Sequence, residues 1–362
     1  MELEQLRDQL SAIDRQILEL VAERQRLSGE IGEWKRASGR PTRDFAREKQ
    51  VLDKARSSAA GLGVPTGLAE ALFSLLIQSS LANQEQARVR AEGQGSGKPV
   101  LVIGGSGKMG RWFAEFLHSQ GFDVTVADPA GPYGGFRHVA DWRDTPDQFA
   151  ITVVSAPIDR VAGILEELGS RKRNGLIFDI GSLKSPFIDK LKALAGGGSR
   201  VTSIHPMFGP DTELLSGRHV LFLDTGCPEA TTEATQLFAS TMAAQIRMDI
   251  DEHDRLMAYV LGLSHALNIA FFTALADSGE TVPKLAHISS TTFDSQLAVA
   301  RRVAEESPQL YFSIQSRNPW GLAVVEELQA AVGRIAAIIR DGDEPAFVKL
   351  MEQGRNYLAS RL

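Results

Sequence analysis

The sequence predicts a multidomain protein with an all-α three-helix domain, an α/β domain with a parallel sheet and an all-α C-terminal domain. A chain of 362 residues exceeds what one hydrophobic core usually covers. Short apolar segments of strand type occur only in the middle of the chain, where helical stretches separate them. Before and after them, apolar residues recur at helical spacing.

The N-terminal domain, residues 1–90, begins with a predicted helix over residues 3–36, in which apolar side chains recur every three or four positions. At 1.5 Å per residue this helix would be roughly 50 Å long. A small domain cannot cover it, so we expect it to pack against a second copy of the chain. Glycine and proline breaks predict two further helices, over residues 44–59 and 66–90.

The middle region, residues 99–250, follows a Gly- and Ser-containing stretch, residues 91–98, that has the composition of a flexible linker. Strands are predicted over residues 100–103, 123–127, 150–154, 176–178 and 201–204. Residues 251–362 form the helical C-terminal domain, with breaks predicted at Ser278-Gly279, Ser307-Pro308, Asn318-Pro319 and Asp341-Gly342.

Composition excludes several classes of protein. The net charge of -6 argues against a nucleic-acid binder, and the single cysteine, Cys227, excludes an intramolecular disulfide. No metal-ligand spacing is found among the histidines. We find no apolar run near the roughly 18 residues of a membrane span and no signal peptide, so we expect a cytoplasmic protein without a membrane partner.

A glycine-rich turn follows the first predicted strand of the middle region. Gly105, Gly107 and Gly110 form a Gly-x-Gly-x-x-Gly motif between a strand and a predicted helix over residues 111–119, typical of a Rossmann domain that holds a pyrophosphate at a helix N-terminus. The first glycine of the motif, Gly105, is expected to allow the tight turn. Asp128 ends the second strand, 128 − 110 = 18 residues later, where a carboxylate binds ribose hydroxyls and repels a 2′-phosphate. The motif therefore predicts NAD, and a glycine turn in another α/β fold is the alternative.

Further candidates follow three strands, at the sheet edge where such domains bind ligands. They are Ser155, Ser182 and His205. His205 could take a proton from a substrate alcohol beside the nicotinamide, or it could be a hydrogen-bonded structural residue. His265 lies in an apolar helix, where a core histidine is the simpler interpretation, and Arg302 could be a solvated charge.

The N-terminal helices place charged and polar side chains on shared faces. Arg24 and Lys35 face one way, since 11 residues span 1100°, or three turns plus 20°. Two further sets have i, i+3 or i+4 spacing: Asp44, Arg47 and Glu48; Ser80 and Gln84. Arg7 lies roughly 25 Å from Arg24 along the helix axis, so only a second chain could bring an Arg7 to this site. A solvated charged face is the alternative.

These residues resemble the all-helical chorismate mutase domain, with Leu20-Val-Ala-Glu-Arg24, Arg40-Pro41-x-Arg43-Asp44 and Ser80-x-x-x-Gln84 in place. The resemblance implies a domain-swapped dimer in which three arginines bind the carboxylates of chorismate. Lys35 and Gln84 would hydrogen-bond the ether oxygen, and Asp44, Glu48 and Ser80 would hold the substrate hydroxyl and its neighbours. The three arginines are Arg24, Arg47 and, from the other chain, Arg7.

The rest of the chain resembles prephenate dehydrogenase through Gly104-Gly-Ser-Gly-Lys-Met-Gly110, Asp179-Ile-Gly-Ser182 and His205-Pro-Met-Phe-Gly-Pro-Asp211. The order of the two parts is that of the bifunctional T-proteins of tyrosine biosynthesis. The resemblance implies that His205 deprotonates the C4 hydroxyl of prephenate, which Ser182 helps to orient. Arg302 would bind the ring carboxylate and His265 would line the pocket. The helical C-terminal domain, residues 251–362, would be the dimerisation domain and supply the dimer interface. Lys108, Met109 and Ser155 join the glycines and Asp128 as cofactor-binding residues.

Three rival functions remain open. A mutase fused to prephenate dehydratase would lack the dinucleotide loop. A β-hydroxyacid dehydrogenase would use a helix lysine in place of His205, and a purely structural N-terminal domain would have no mutase activity. We also expect tyrosine to compete with prephenate near His265 and Tyr311.

Overall fold

The computed structural model describes residues 2–171 and 174–360 and divides the chain into two compact units. The first unit comprises Met1–Gly181 and Lys190–Met248, and the second comprises Ser182–Asp189 and Asp249–Leu362. The three N-terminal helices and the α/β region therefore belong to one unit.

The three predicted N-terminal helices are present. They are α1 (Leu3–Ala37), α2 (Phe45–Leu62) and α3 (Thr66–Glu92), and α3 packs against the other two. The 35 residues of α1 include no buried one, and its apolar side chains are exposed, as shown by Leu10 at 60% and Leu20 at 70%. An exposed apolar stripe of this length is typical of a protein–protein interface. We still predict that a second copy of the chain packs against it.

The prediction of a flexible linker over residues 91–98 is wrong. The N–H groups of Gly95 and Gly97 donate to the carbonyls of Gln120 and Gly121, at 3.0 and 2.8 Å. The backbones approach so closely that a Cβ on Gly95 would lie 2.3 Å from the Gly121 carbonyl carbon. The glycines of this stretch therefore allow its backbone to pack closely against the turn at residues 120–122. Their composition had instead indicated a flexible segment.

Eight strands form one sheet in the described part of the first unit, in the order β3-β2-β1-β4-β5-β6-β7-β8. The strands from β1 to β6 pair in parallel, and β7 is antiparallel to β6. The five predicted strands are confirmed, and three others were not predicted. The bounds are β1 Pro99–Ile103, β2 Asp123–Ala127, β3 Arg137–Val139, β4 Gln148–Val154, β5 Asn174–Asp179, β6 Arg200–Pro206, β7 His219–Asp224 and β8 Ala244–Asp249.

The order of the first six strands is the doubly wound one, whose ligand site lies where the strand order reverses, between β1 and β4. Helices α4 (Lys108–Ser119), α5 (Ile158–Ser170), α6 (Ile188–Gly196) and α7 (Pro228–Gln236) connect or flank the strands. The core is rich in aromatic residues: Phe113, Phe178 and Phe238 are fully buried.

The second unit is helical, as predicted, and the four predicted breaks separate its helices. A π-helical turn over Ala258–Leu263 joins the first two helices, so that they run on as one. The bounds are α8 Ile250–Met257, α9 Ser264–Asp277, α10 Val282–His287, α11 Thr291–Ala304, α12 Pro308–Arg317, α13 Gly321–Asp341 and α14 Glu344–Ala359.

The expectation that no segment is long and apolar enough for a membrane span is wrong. The joined helix Ile250–Asp277 has 28 residues and a window of mean hydropathy 1.5, and 28% of that window is buried. A core helix of a water-soluble protein meets the same criterion. Asn268 is a buried polar residue of this helix, and its side chain accepts from Gln296 of the helix Thr291–Ala304 at 2.9 Å. The absence of a membrane partner therefore stays a prediction.

A buried carboxylate holds the short segment Ser182–Asp189 within the second unit. Asp254 accepts from the N–H groups of Lys184 at 3.0 Å and Ser185 at 2.6 Å, and the Nδ1 of His253 lies 2.6 Å from its Oδ1. Burial opposes ionisation of Asp254, but the hydrogen bonds from His253 and Ser185 outweigh it and lower its pKa. The ionised carboxylate thus anchors this segment to α8.

Candidate functional sites

The glycine-rich turn lies between β1 and α4, at the point where the strand order reverses. We expected the tight turn at Gly105, but the residue in the left-handed region is Gly104, with φ +78°. The turn therefore lies one residue earlier than predicted. A Cβ on Gly104 would lie 2.4 Å from the Ser155 carbonyl oxygen, and one on Gly110 would lie 2.2 Å from the Gly104 carbonyl oxygen. Both glycines are therefore required by close backbone packing.

The residues around this turn fit a dinucleotide. Helix α4 begins at Lys108, three residues earlier than predicted, and Gly107 occupies its N-cap without a side chain to cover the first amides. Asp128 follows β2, is 8% exposed and accepts from Ser106 N at 3.0 Å and Ala130 N at 2.9 Å. Its carboxylate is thereby fixed beside the glycine-rich turn, where the ribose contact is predicted.

Two of the predicted dehydrogenase residues lie at or near the carboxyl ends of strands β4 and β6. Ser155 follows β4 and donates its N–H to the Ile103 carbonyl at 2.8 Å, which ties it to the end of β1. His205 lies within β6 and not after it, since the strand continues to Pro206. It pairs with Leu221 of β7, which fixes its backbone, and the residue is 4% exposed.

The other dehydrogenase candidates belong to the second unit. His265 stacks on Tyr311, with ring centroids 4.1 Å apart and an interplanar angle of 11°. Within the described residues its buried Nδ1 has no hydrogen-bond partner, so the interpretation as a hydrogen-bonded core histidine does not hold for that atom. Burial lowers the pKa of His265, which favours a neutral ring. Arg302 is exposed on α11, and Ser182 begins the short segment anchored by Asp254.

The predicted mutase site joins Arg24 and Ser80 directly. Nη1 of Arg24 donates to the Ser80 hydroxyl at 2.7 Å and to the Leu76 carbonyl at 2.8 Å. These contacts fix the guanidinium between α1 and α3. Burial lowers the pKa of Arg24. Because the ordinary pKa of an arginine is far above neutral pH, the group remains charged.

The two predicted donors to the ether oxygen have partners within the domain. Lys35 donates from Nζ to the Thr42 carbonyl at 2.7 Å, and Gln84 donates from Nε2 to the carbonyl and hydroxyl of Ser28, both at 2.8 Å. Gln84 is 8% exposed. It lines a cavity of about 350 Å³ together with Thr42 and Arg88.

The two acidic residues of the predicted mutase site lie at the start of α2. Asp44 caps α2 by accepting from Arg47 N at 2.9 Å, while the Arg47 side chain is exposed. Glu48 accepts two hydrogen bonds from Arg43, both at 2.9 Å. Arg7 is exposed on α1, as a residue offered to a second chain would be.

Sequence reasoning missed Ser28, Thr42 and Arg43 as partners of the site residues. Arg43 stood within the quoted Arg40-Pro41-x-Arg43-Asp44 motif, which was the available signal. Thr42 accepts through its backbone carbonyl, and Ser28 accepts through its carbonyl and its hydroxyl. No pattern in the sequence identifies such acceptors.

Gly32 on α1 provides a test of the position of Gln84. A Cβ on Gly32 would lie 2.7 Å from Gln84 Cγ, so Gly32→Ala should displace this side chain and lower mutase kcat/KM by about tenfold, although Ala is the better helix former. Steady-state kinetics of chorismate consumption would measure the loss. Gly29→Ala on the same helix meets nothing within 4 Å and should keep full activity. Equal rates for the two variants would contradict the predicted role of Gln84.

Comparison with known proteins matches each region of the chain to a family model. Residues 6–85 match "Chorismate mutase type II", residues 135–243 match "Prephenate dehydrogenase, nucleotide-binding domain" and residues 249–353 match "Prephenate dehydrogenase, dimerization domain". The chain joins a type II chorismate mutase domain to a prephenate dehydrogenase. The resemblance and the three-part fold class expected from the sequence are thus confirmed.

Relatives with the same arrangement extend over nearly the whole chain. A T-protein of Enterobacter agglomerans is 28% identical over 96% of this chain and 90% of its own length. A T-protein of Haemophilus influenzae is 25% identical over 98% of this chain and 92% of its own. The crystal structure of a prephenate dehydrogenase from A. aeolicus, in complex with hydroxyphenyl propionate and NAD+, is 19% identical and covers 72% of this chain and 98% of its own, with a TM-score of 0.56. That likeness shows the fold.

Proposed function

We propose that this chain catalyses two consecutive reactions of tyrosine biosynthesis: rearrangement of chorismate to prephenate, then NAD-dependent oxidative decarboxylation of prephenate to 4-hydroxyphenylpyruvate. The observation that carries the proposal is the union of both domains in one chain, because the product of the first reaction is the substrate of the second. The T-protein relatives support it over nearly the full length.

The mutase reaction needs positioning and charge stabilisation, with no nucleophile or base. The bond to the ether oxygen breaks while a carbon–carbon bond forms, and negative charge grows on that oxygen, where Lys35 and Gln84 would donate. Gln84 must turn a donor hydrogen from Ser28 to the substrate. Arg24 and Arg47, with Arg7 of a second chain, would hold the two carboxylates in the reactive conformer. Asp44, Glu48 and Ser80 would hold the hydroxyl and its neighbours.

The dehydrogenase reaction needs a base for the C4 hydroxyl and a cationic partner for the ring carboxylate. His205 would take the hydroxyl proton, Ser182 would orient the pair, Arg302 would bind the carboxylate and His265 would line the pocket. NAD would be held by Gly105, Gly107, Lys108, Met109, Gly110, Asp128 and Ser155, and when bound it would accept the hydride from C4 of prephenate. Departure of the ring carboxylate as CO2 gives the aromatic product, which makes the step effectively irreversible.

A single assay tests the proposal. Chorismate and NAD are given to the purified chain and NADH is followed, with a matched reaction that lacks NAD and is analysed for prephenate. We expect NADH in the first and prephenate in the second. Prephenate without NADH would refute the NAD-dependent step, and unchanged chorismate would refute the mutase.

The partners of the chain follow from the same proposal. We expect a homodimer, which the match to a dimerization domain supports, in the cytoplasm and without nucleic acid or membrane. Tyrosine should compete with prephenate at the pocket that includes His265 and Tyr311. Equilibrium dialysis with tyrosine, with and without prephenate, tests this: simultaneous binding of both ligands would contradict competition.

A further inference from the structure

One arginine connects the predicted mutase site to the dehydrogenase region. Arg43 donates from Nε and Nη2 to the two carboxylate oxygens of Glu48, each at 2.9 Å. Its remaining terminal nitrogen, Nη1, donates to the hydroxyl of Ser216 at 2.7 Å. The side chains of Arg43 and Glu48 are 31% and 19% exposed, so the pair is partly shielded from water. Ser216 lies 173 positions away, between β6 and β7.

The segment that carries Ser216 is itself held in place by the mutase domain. The neighbouring Leu215 donates its N–H to Glu85 of α3 at 2.7 Å, and Met242 N donates to the other oxygen of the same carboxylate. Glu85 is 3% exposed. The Leu215 amide is thus held by a buried carboxylate that the Met242 amide also binds, so the backbone next to Ser216 has a defined position beside Arg43.

We infer that Ser216, a residue of the dehydrogenase region, is a positioning residue for the mutase reaction, because it orients the Glu48 carboxylate through Arg43. This inference rests on the proposed function, which places the substrate hydroxyl on Glu48. A guanidinium is planar, so the hydrogen bond at Nη1 restricts the orientation in which the other two nitrogens meet the carboxylate. Glu48 thereby holds one orientation before the substrate arrives.

The surroundings of Arg43 leave it room to move once that contact is lost. Arg43, Glu48 and Ser216 line a cavity of about 640 Å³, which also includes Asp211 and Arg218. The guanidinium retains a contact with the ring of Phe45, 4.3 Å from its centroid. Loss of the Ser216 hydroxyl should therefore loosen Arg43 without releasing it, and weaken the hold of Glu48 on the substrate in the ground state and transition state alike.

The test is Ser216→Ala in the full chain, with mutase kinetics measured in the absence of NAD. We expect the KM for chorismate to rise about fivefold, with kcat within about twofold; this is less than for a charged hydrogen bond lost directly to the substrate, because Ser216 acts through Arg43. Ser216→Thr keeps the hydroxyl and should restore most of the affinity. Ser170→Ala is the control, because that hydroxyl bonds only its own helix, at the Glu167 carbonyl, among the described contacts. Thermal denaturation of each variant checks that the fold is intact.

A double-mutant cycle identifies the route of the effect. In an Arg43→Ala background, Ser216→Ala should change the KM for chorismate no further. An unchanged KM in the single variant, or an equal additional rise in the Arg43→Ala background, would overturn the inference while leaving the proposed function intact. A wild-type chain without mutase activity would overturn the proposed function, and the inference with it.

Discussion

Replacement of His205 by Asn should lower dehydrogenase kcat by about 10²- to 10⁴-fold, which is the contribution typical of a positioned general base. Asn keeps a polar side chain of similar size but cannot accept the hydroxyl proton of prephenate at neutral pH. The residue is 4% exposed in β6, so the sheet fixes its backbone and water cannot readily replace its ring. The measurement is NADH formation from prephenate and NAD.

The mutase supplies an internal control for this variant. Prephenate formation from chorismate should stay within about twofold of the wild-type rate, because His205 has no role in the rearrangement. His219→Asn, an exposed histidine on β7, should preserve both activities. Near-normal dehydrogenase kcat in His205→Asn would exclude His205 as the base and would favour the rival dehydrogenase class that uses a lysine.

Arg24→Ala should lower mutase kcat/KM by about 30- to several thousand-fold. The guanidinium is half-buried, and losing one partner of a hydrogen-bonded charge pair in such a setting costs about 2–5 kcal/mol. The variant also leaves the Ser80 hydroxyl without the donor that it has at 2.7 Å. The loss should appear in chorismate consumption, while oxidation of added prephenate continues.

Arg26→Ala is the matched control, since it removes the same charge from the same helix two positions away. Arg26 pairs with Glu23 and Glu30 at the surface, so its removal should change mutase kcat/KM by less than about twofold. Equal activity of the two variants would support the structural interpretation of the N-terminal helices and refute a mutase site at Arg24.

Much of the fold could be predicted because buried parallel strands are continuous apolar runs and long helices show their period plainly. Strand β3 has three residues and half-buried side chains, too short for a pattern. Strand β8 is almost wholly exposed, so no alternation marks its core face. The stretch at residues 93–97 was misinterpreted because glycine composition is the same for a flexible chain and for a close backbone contact.

The candidate site could be predicted where its chemistry depends on local spacing, and could not where it depends on tertiary contacts. Asp44 and Arg47 are three residues apart, and the structure joins them as helix cap and capped amide. The contact of Arg43 with Ser216 crosses 173 positions, and no periodicity links them. The tight turn at Gly104 was assigned to Gly105 because both are glycine, and only the backbone angle distinguishes them.

The packing of Gly95 against the turn at residues 120–122, together with the burial of the Glu85 carboxylate on two amides of the α/β region, has a consequence for folding. Two domains of different fold class, one all-α and one α/β, would ordinarily unfold in separate thermal transitions. Here the unfolding of either domain would break both hydrogen bonds of the Glu85 carboxylate and the backbone contacts of Gly95 with the other domain. The mutase and the nucleotide-binding domain should therefore unfold cooperatively, as a single thermodynamic unit with one melting transition.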